Sequence, residues 1–265
     1  MPRTRVLPVA ATALALSLST LFAATDASAA GARYVALGDS YSAGVGAGSY
    51  TSESGSCKRS TNAYPYLWKN ANAPTSFSFV ACSGAKTGDV LNNQVSALSS
   101  TTTLVSITIG GNDAGFASTM QTCVLGTESA CLSAVNTAKA YATNTLPGKL
   151  DAVYSAIRSK APNAHVVVLG YPHLYKIGGN CVFGIGDTKR AAINGAADTL
   201  DSVIAKRAAD AGFTFKDVRG IFTEHEICGS LTQWLNSTTL PVDDSYHPNK
   251  AGQSGGYLPS FSAAA

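Results

Sequence analysis

The chain has 265 residues, a formal net charge of +3 at pH 7, 45% hydrophobic residues and 13% charged residues. It carries no cluster of five or more basic residues, so neither its charge nor the distribution of that charge indicates a nucleic-acid partner. The length suits one α/β domain with a single large core, and the sequence shows neither a linker nor an internal repeat.

The first residues are typical of an export signal. Two arginines precede the mostly apolar stretch 6–24, and Ala-Ser-Ala at 27–29 is a small-residue cleavage pattern. Serines and threonines interrupt the apolar stretch, which disfavours a membrane anchor. We therefore expect a signal peptide over residues 1–29, a single mature domain over residues 30–265, and secretion.

Six cysteines in an exported chain predict three disulfides, although the sequence alone leaves their connectivity open. Sequential pairing is the simplest arrangement. It joins Cys57 to Cys82, Cys123 to Cys131 and Cys181 to Cys228. Neither C-x-x-C nor H-E-x-x-H occurs, and the four histidines are scattered, so we expect no metal site and no cofactor.

The first predicted strand contains the apolar run 35–37, whose continuous hydrophobicity is typical of a strand that is covered on both faces. Gly38 permits a sharp turn, and Ser40 follows it. Ligands of open parallel sheets bind at the carboxyl ends of the strands, so we expect Ser40 at the mouth of a site. Gly-Asp-Ser is also typical of a simple turn or a helix N-cap.

Two further strands in the first half of the chain also end in polar turns that contain glycine. Residues 77–82 alternate between apolar and polar and are followed by Gly84. Residues 104–109 are rich in β-branched side chains and are followed by Asn112. Three strand ends thus present a serine, a glycine and an asparagine.

Helical spacing of apolar residues recurs between the strands. It predicts helices over residues 62–70, 90–98, 129–160 with a break near Pro147, and 188–211. A buried strand is predicted over residues 165–170, and a short fifth strand at an edge of the sheet over residues 213–218. Five strands alternating with helices predict a three-layer αβα sandwich with a mainly parallel five-stranded sheet. A flavodoxin-like strand order is the default for such a chain.

A late loop presents His247 directly before Pro248, which presets the first turn of a final short helix. A lone histidine here is more often solvated than catalytic, and a lone glycine or asparagine after a strand is usually turn chemistry. Together, however, these residues supply a nucleophilic hydroxyl, an imidazole and donors for an oxyanion. Those are the parts of an ester hydrolase.

Four blocks carry a resemblance to a known family. In their order and spacing they resemble the SGNH (GDSL) hydrolases, and within them the secreted, three-disulfide bacterial lipases and phospholipases A1. The blocks are Gly38-Asp39-Ser40, Ser83-Gly84-Ala85, Gly110-Gly111-Asn112-Asp113 and Asp244-Ser245-Tyr246-His247. Tyr41 follows the first block where many members have leucine, and we expect this difference to alter packing but not chemistry.

The resemblance implies a role for each block. Ser40 corresponds to the nucleophile and His247 to its general base. The oxyanion hole corresponds to the backbone N–H groups of Ser40 and Gly84 and the side-chain amide of Asn112. Asp39 and Asp113 adjoin these blocks, and we interpret both as structural residues that cap turns or helix starts.

The group that orients His247 is open between two candidates. The family usually supplies an aspartate three residues before the histidine, which here is Asp244. Some relatives use a backbone carbonyl instead, and the carbonyl of Ser245 could serve. We favour the carboxylate of Asp244 slightly.

The resemblance implies a secreted serine esterase that hydrolyses lipid esters through an acyl-enzyme on Ser40, and a single domain with three disulfides makes a monomer the default. Its substrate would be a lipid, met at a lipid–water interface without a stable membrane anchor. A carbohydrate esterase or thioesterase with the same site is an alternative, and a secreted binding module with a vestigial site is the non-enzymatic one. Separately, Asn236-Ser237-Thr238 matches a glycosylation acceptor, a pattern that requires a glycosylating host.

Overall fold

The structure is a computed structural model that describes residues 1, 2, 4, 31–181 and 184–265. The predicted signal peptide, residues 1–29, lies outside the described residues apart from positions 1, 2 and 4. The signal peptide and the domain boundary at residue 30 therefore stay predictions.

A five-stranded parallel sheet forms the centre of the fold, with the strand order β2-β1-β3-β4-β5. The strands are β1 (Arg33–Ala36), β2 (Ser76–Phe79), β3 (Leu104–Ile107), β4 (His165–Leu169) and β5 (Thr214–Lys216). This is the predicted flavodoxin-like arrangement. From β1 the chain adds β2 on one side of the sheet and then β3, β4 and β5 on the other. The strand order therefore switches between β1 and β3, and ligands of such sheets bind at that point.

Helices flank the sheet in two groups, in which α2 packs against α9 while α5 packs against α4, α6 and α7. The helices are α1 (Ser40–Ala43), α2 (Tyr64–Asn72), α3 (Thr87–Asp89), α4 (Phe116–Leu125), α5 (Glu128–Asn144), α6 (Leu146–Lys160), α7 (Asp187–Asp210), α8 (Lys250–Gly252) and α9 (Leu258–Ser262). The αβα layering confirms the predicted fold class. Among the described residues, none of the helices has the length and apolar content that a membrane span requires.

Two helical segments differ from the predicted pattern. Helical spacing in the sequence does not predict α4, which begins after Gly115, a residue in the left-handed conformation, and ends at Leu125. Residues 90–98, predicted as one short helix, form a π-helical turn over Val90–Gln94 and a 3₁₀ turn over Val95–Ala97. This segment contains a buried polar side chain, Gln94, which is directed to the strand end that carries Ser40.

Three disulfides join the sequential pairs Cys57–Cys82, Cys123–Cys131 and Cys181–Cys228. The second of them links α4 to α5. The first ties the loop after α1 to the segment that follows β2. A backbone hydrogen bond supports the same link, since the Ser83 N–H donates to the Cys57 carbonyl at 3.1 Å. The disulfides therefore brace the loops that surround the carboxyl ends of the strands.

Candidate active site

Ser40 is the first residue of α1 and directly follows the turn at the end of β1. Gly38 makes this turn at φ 126°, and a Cβ there would lie 2.6 Å from the carbonyl oxygen of Thr108, so only glycine fits. Asp39 caps α1, since its Oδ1 accepts the Tyr41 N–H at 3.0 Å. The buried strand therefore ends in a fixed turn that presents Ser40.

Gln94 holds the same turn from the neighbouring segment. Its Oε1 accepts the N–H of Gly38 at 2.7 Å, and its Nε2 donates to the Gly38 carbonyl at 2.9 Å. The side chain is buried at the end of a π-helical turn, a feature that is frequent at functional sites. Sequence analysis did not single out Gln94, because no pattern separates it from an ordinary polar helix residue.

The structure brings Ser40 and His247 into direct contact. Nε2 of His247 lies 2.7 Å from Oγ of Ser40, and Nδ1 lies 2.9 Å from the backbone carbonyl oxygen of Ser245. A carbonyl only accepts hydrogen bonds, so Nδ1 carries the proton in the neutral imidazole. Nε2 is then left to accept the Ser40 hydroxyl proton.

The carboxylate of Asp244 does not contact His247. Its Oδ1 accepts from the Tyr50 hydroxyl at 2.9 Å and lies 3.6 Å from Nζ of Lys58. Tyr246 adopts a left-handed conformation with φ 62°, and this turn places the Ser245 carbonyl against the imidazole. The family pattern slightly favours the Asp244 carboxylate as the hydrogen-bond partner of Nδ1. In the structure the partner is the Ser245 carbonyl instead.

Burial lowers the pKa of His247 from its ordinary value of 6.5 to about 4. The hydrogen bond to the Ser245 carbonyl and the charge of Asp244 act in the opposite direction but are smaller, and the charge of Lys58 lowers the pKa further. The imidazole is therefore neutral at neutral pH. A neutral imidazole beside a hydroxyl has the protonation state that a general base needs.

The donors expected for an oxyanion lie on adjoining loops. Gly84 has a left-handed φ of 75°, and among the hydrogen bonds of the described residues neither its N–H nor that of Ser40 donates to a protein acceptor. One amide hydrogen of Asn112 is donated to the Ala85 carbonyl at 3.1 Å, which ties the Gly84 and Asn112 loops together. Asn112 and Ser40 line the same cavity.

The two aspartates beside these blocks have structural contacts. Asp39, besides capping α1, accepts from the hydroxyls of Thr108 at 2.6 Å and Tyr171 at 2.5 Å, and its burial raises its pKa to about 6. Asp113 accepts from the backbone N–H and the hydroxyl of Thr87. Within the described residues, no group of three or more histidines, cysteines, aspartates or glutamates could hold a metal ion.

A narrow apolar cavity of about 80 Å³ opens beside Ser40. Its walls come largely from α4, α5 and α7, with aromatic, aliphatic and small side chains. The helix residues that line it are Phe116, Thr119, Met120, Ala138, Ala142, Ile193, Ala196, Ala197 and Leu200. Such a cavity can accept an aliphatic chain next to the serine hydroxyl.

The fold and this site together define a class of enzyme: a parallel αβα sandwich whose first strand delivers a serine to a histidine from a late loop is an SGNH-type hydrolase. The chain belongs to the GDSL-like Lipase/Acylhydrolase family, whose profile matches residues 36–254. The match begins at Ala36, the last residue of β1, spans the other four strands and contains all four predicted blocks.

Curated and solved relatives agree with this assignment. The chain is 62% identical to Lipase 1 of Streptomyces coelicolor over 260 residues, which cover 98% of this chain and 96% of that protein. A phospholipase A1 from Streptomyces albidoflavus superimposes with a TM-score of 0.87 at 61% identity, covering 89% of this chain and 100% of that one. An extracellular lipase from Streptomyces rimosus gives a TM-score of 0.86 at 60% identity, covering 88% and 100%.

Proposed function

We propose that this enzyme is a secreted lipase or phospholipase A1 that hydrolyses lipid carboxylic esters through an acyl-enzyme on Ser40. The observation that carries the proposal is the apolar cavity lined by Ser40, whose hydroxyl is hydrogen-bonded to His247. The names of the relatives, lipase and phospholipase A1, support the same substrate class.

In the proposed first half-reaction, Oγ of Ser40 attacks the ester carbonyl carbon and its proton passes to Nε2 of His247. The carbonyl oxygen becomes an oxyanion, which would accept hydrogen bonds from the backbone N–H groups of Ser40 and Gly84 and from the amide of Asn112. The imidazolium then protonates the leaving alkoxide, and the alcohol departs.

In the second half-reaction, a water molecule gives a proton to Nε2 of His247 and attacks the acyl-enzyme carbonyl. The same donors hold the second oxyanion. Its collapse breaks the bond to Oγ of Ser40, which recovers its proton from the imidazolium, and the fatty acid is released. Nδ1 would keep its proton, donated to the Ser245 carbonyl, in both half-reactions, so the proposed machinery is a Ser40–His247 dyad.

Contact with a lipid surface is the proposed route of substrate entry. Leu240 is 85% exposed and Val242 is 66% exposed, on either side of Pro241. This apolar tip belongs to the loop that leads to His247, and the Ser245 hydroxyl anchors it by accepting the Thr239 N–H at 2.9 Å. Exposed apolar side chains on a loop beside the site match the surface of an aggregated lipid better than water.

A double Leu240→Ser, Val242→Ser variant tests the lipid-surface contact. We expect slower hydrolysis of phospholipid vesicles and unchanged hydrolysis of a soluble short-chain nitrophenyl ester. Equal rates on vesicles for the variant and the unmodified enzyme would contradict the surface contact but leave the esterase proposal intact.

Covalent labelling tests the proposed nucleophile. A fluorophosphonate should label Ser40, and Ser40→Ala should be neither labelled nor active while it stays folded. Folded protein that resists labelling would favour a binding module with a vestigial site.

A substrate panel of phospholipid, triacylglycerol, acetylated sugar and acyl thioester, with released fatty acids assigned to position, tests the substrate class. We expect the lipid esters to be hydrolysed fastest. Faster hydrolysis of the sugar ester or the thioester would contradict the proposed lipid substrate and favour a carbohydrate esterase or a thioesterase. N-terminal sequencing of the protein from the culture medium tests secretion, with Ala30 expected as the first residue.

A further inference from the structure

The orientation of His247 depends on a main-chain carbonyl, and a carbonyl is only as fixed as its own backbone. In a Ser-His-Asp triad, a buried carboxylate holds the imidazole in place. Here the Ser245 carbonyl does so in a loop where Tyr246 adopts an uncommon left-handed conformation. Other contacts must therefore hold residues 244–247 in register with Ser40.

Asn236 makes those contacts with both its side chain and its backbone. The amide Nδ2 donates one hydrogen to the carbonyl of Gly46 at 3.0 Å and the other to the carbonyl of Asp244 at 3.1 Å. The backbone N–H of Asn236 donates to the His247 carbonyl at 2.9 Å, and its carbonyl accepts the Tyr246 N–H at 3.0 Å. Asn236 is thus hydrogen-bonded to three residues of the loop that presents the base, Asp244, Tyr246 and His247.

The contact with Gly46 connects this loop to the nucleophile. The segment that follows Ser40 folds back on it, since the N–H groups of Gly44 and Val45 both donate to the Ser40 carbonyl at 3.0 Å. Gly46 is the next residue. The Asn236 amide is therefore connected to the Ser40 backbone through its own hydrogen bond to Gly46 and the hydrogen bond from Val45 to Ser40.

The packing around Gly46 leaves no space for a side chain at this position. Its φ is 86°, and a Cβ there would lie 2.7 Å from Nδ2 of Asn236 and 2.9 Å from Cβ of His247. The nucleophile segment therefore lies directly against both residues. We therefore expect a change in the Asn236 amide to move the base loop relative to Ser40, because the amide is a direct hydrogen-bonded bridge between the two, beside those made by the hydroxyls of Tyr41 and Tyr50.

We infer that Asn236 is a positioning residue, and that its amide bridge does through the backbone what a triad carboxylate does by direct contact. The inference rests on the proposed roles of Ser40 and His247. The two hydrogen bonds of the Asn236 amide are also incompatible with glycosylation of this residue in the folded protein. A glycan attached at Nδ2 would replace one of the two bonded hydrogens, in a space bounded by Gly46 and Asp244.

Substitution by aspartate is the sharpest test, because it keeps the shape of the side chain and replaces the NH₂ donor with an oxygen that faces two carbonyl oxygens. We expect Asn236→Asp to lower kcat by about 10- to 100-fold, the loss that a small misplacement of a reacting group causes, with KM changed less than about 2-fold. Asn236→Ala should lower kcat in the same direction, without the repulsion.

Asn249→Ala is the matched control. Asn249 also makes two side-chain hydrogen bonds to backbone, donating to the Gln233 carbonyl at 2.8 Å and accepting the Gly252 N–H at 3.0 Å. Neither bond reaches residues 244–247 or Gly46. This variant should lose a similar amount of thermal stability while its kcat stays within about 2-fold of the unmodified enzyme. Equal kcat losses in the Asn236→Ala and Asn249→Ala variants would reduce Asn236 to a structural residue.

Proton NMR gives a readout that does not need turnover. The Nδ1 proton of His247 is hydrogen-bonded and should give a downfield resonance, which should also be present in Ser40→Ala. We expect Asn236→Ala to weaken or shift this resonance and Asn249→Ala to leave it unchanged. An unchanged resonance together with unchanged kcat in Asn236→Ala would overturn the inference, whereas failure of Ser40 labelling would overturn the proposed dyad instead.

Expression in a glycosylating host supplies an independent result. Mass spectrometry of the folded, active enzyme should find Asn236 unmodified. Fully active protein with a glycan on Asn236 would contradict the inference, because the amide could not then donate both hydrogens.

Discussion

Replacing the carboxylate of Asp244 by an amide distinguishes the dyad from a triad. In a triad, the corresponding aspartate-to-asparagine change lowers kcat by about 10⁴-fold, or about 5.4 kcal/mol of transition-state stabilisation. Here the carboxylate contacts Tyr50 and Lys58 and not the imidazole. We expect Asp244→Asn to lower kcat no more than a few-fold, which corresponds to less than about 1 kcal/mol.

The same substitution should have small effects on stability and on the pH profile. The Lys58–Asp244 pair is a partly exposed ion pair with a 3.6 Å separation, and such pairs contribute about 0–1 kcal/mol. The negative charge of Asp244 raises the pKa of His247, so its removal should move the acid limb of kcat/KM slightly to lower pH.

Initial rates on a soluble nitrophenyl ester, with kcat and KM measured separately from about pH 3 to pH 8 so that the acid limb below the His247 pKa is covered, provide the assay. Asp243→Asn is the matched control, because Asp243 pairs with the same Lys58 at 3.3 Å but does not contact Tyr50. A loss of a thousand-fold or more in Asp244→Asn, with an unchanged melting temperature, would refute the dyad and return the orienting role to the carboxylate.

Three other predictions concern the pH profile, the cavity and a buried acid. Because burial lowers the pKa of His247 to about 4, kcat/KM should fall only as the pH approaches that value; a half-maximal point near pH 6.5 would contradict this burial effect. Ala142→Phe should fill the cavity beside Ser40 and shift the preference among nitrophenyl esters from long to short acyl chains; an unchanged chain-length profile would place the acyl group elsewhere. Burial raises the pKa of Asp201 to about 8, against about 3.9 in an unfolded chain, so its contribution to stability is complete below about pH 4 and is lost as the pH rises toward 8. Asp201→Asn cannot ionise, and its melting temperature relative to the unmodified enzyme should therefore increase between pH 5 and pH 8; a constant difference would refute the assigned pKa.

The sheet was predictable because its strands are short apolar runs that end at glycines. Residues 35–37 and 104–109 show this pattern, and β1 and β3 lie there. The missed helix α4 begins after a glycine and contains the polar residues Ser118, Thr119 and Gln121, so its apolar face is not evident from spacing alone. Its apolar residues acquire a partner only when α5 is beside them.

The blocks that contain Ser40 and His247 were predictable because the chemistry requires particular side chains at strand ends and in a late loop. The contact between Ser245 and His247 was not, because every residue has a backbone carbonyl and only the conformation selects one of them. Asn236 is a similar case. Its sequence context matches a glycosylation acceptor, whereas its contacts depend on Gly46, 190 positions away in the chain.

A backbone carbonyl in place of a carboxylate changes which substitutions the site can tolerate. A carboxylate concentrates orientation and charge in one side chain, so one mutation removes both. In the proposed dyad the orientation would be distributed over the backbone of residues 244–247 and the side chains that fix it, including Tyr41, whose hydroxyl donates to the Tyr246 carbonyl at 2.7 Å. Tyr41, which stands where many relatives have leucine, therefore contributes more than packing, because it joins the turn that carries Ser40 to the loop that carries His247. Variants in these supports should lower kcat in graded steps, while Asp244 variants should have little effect.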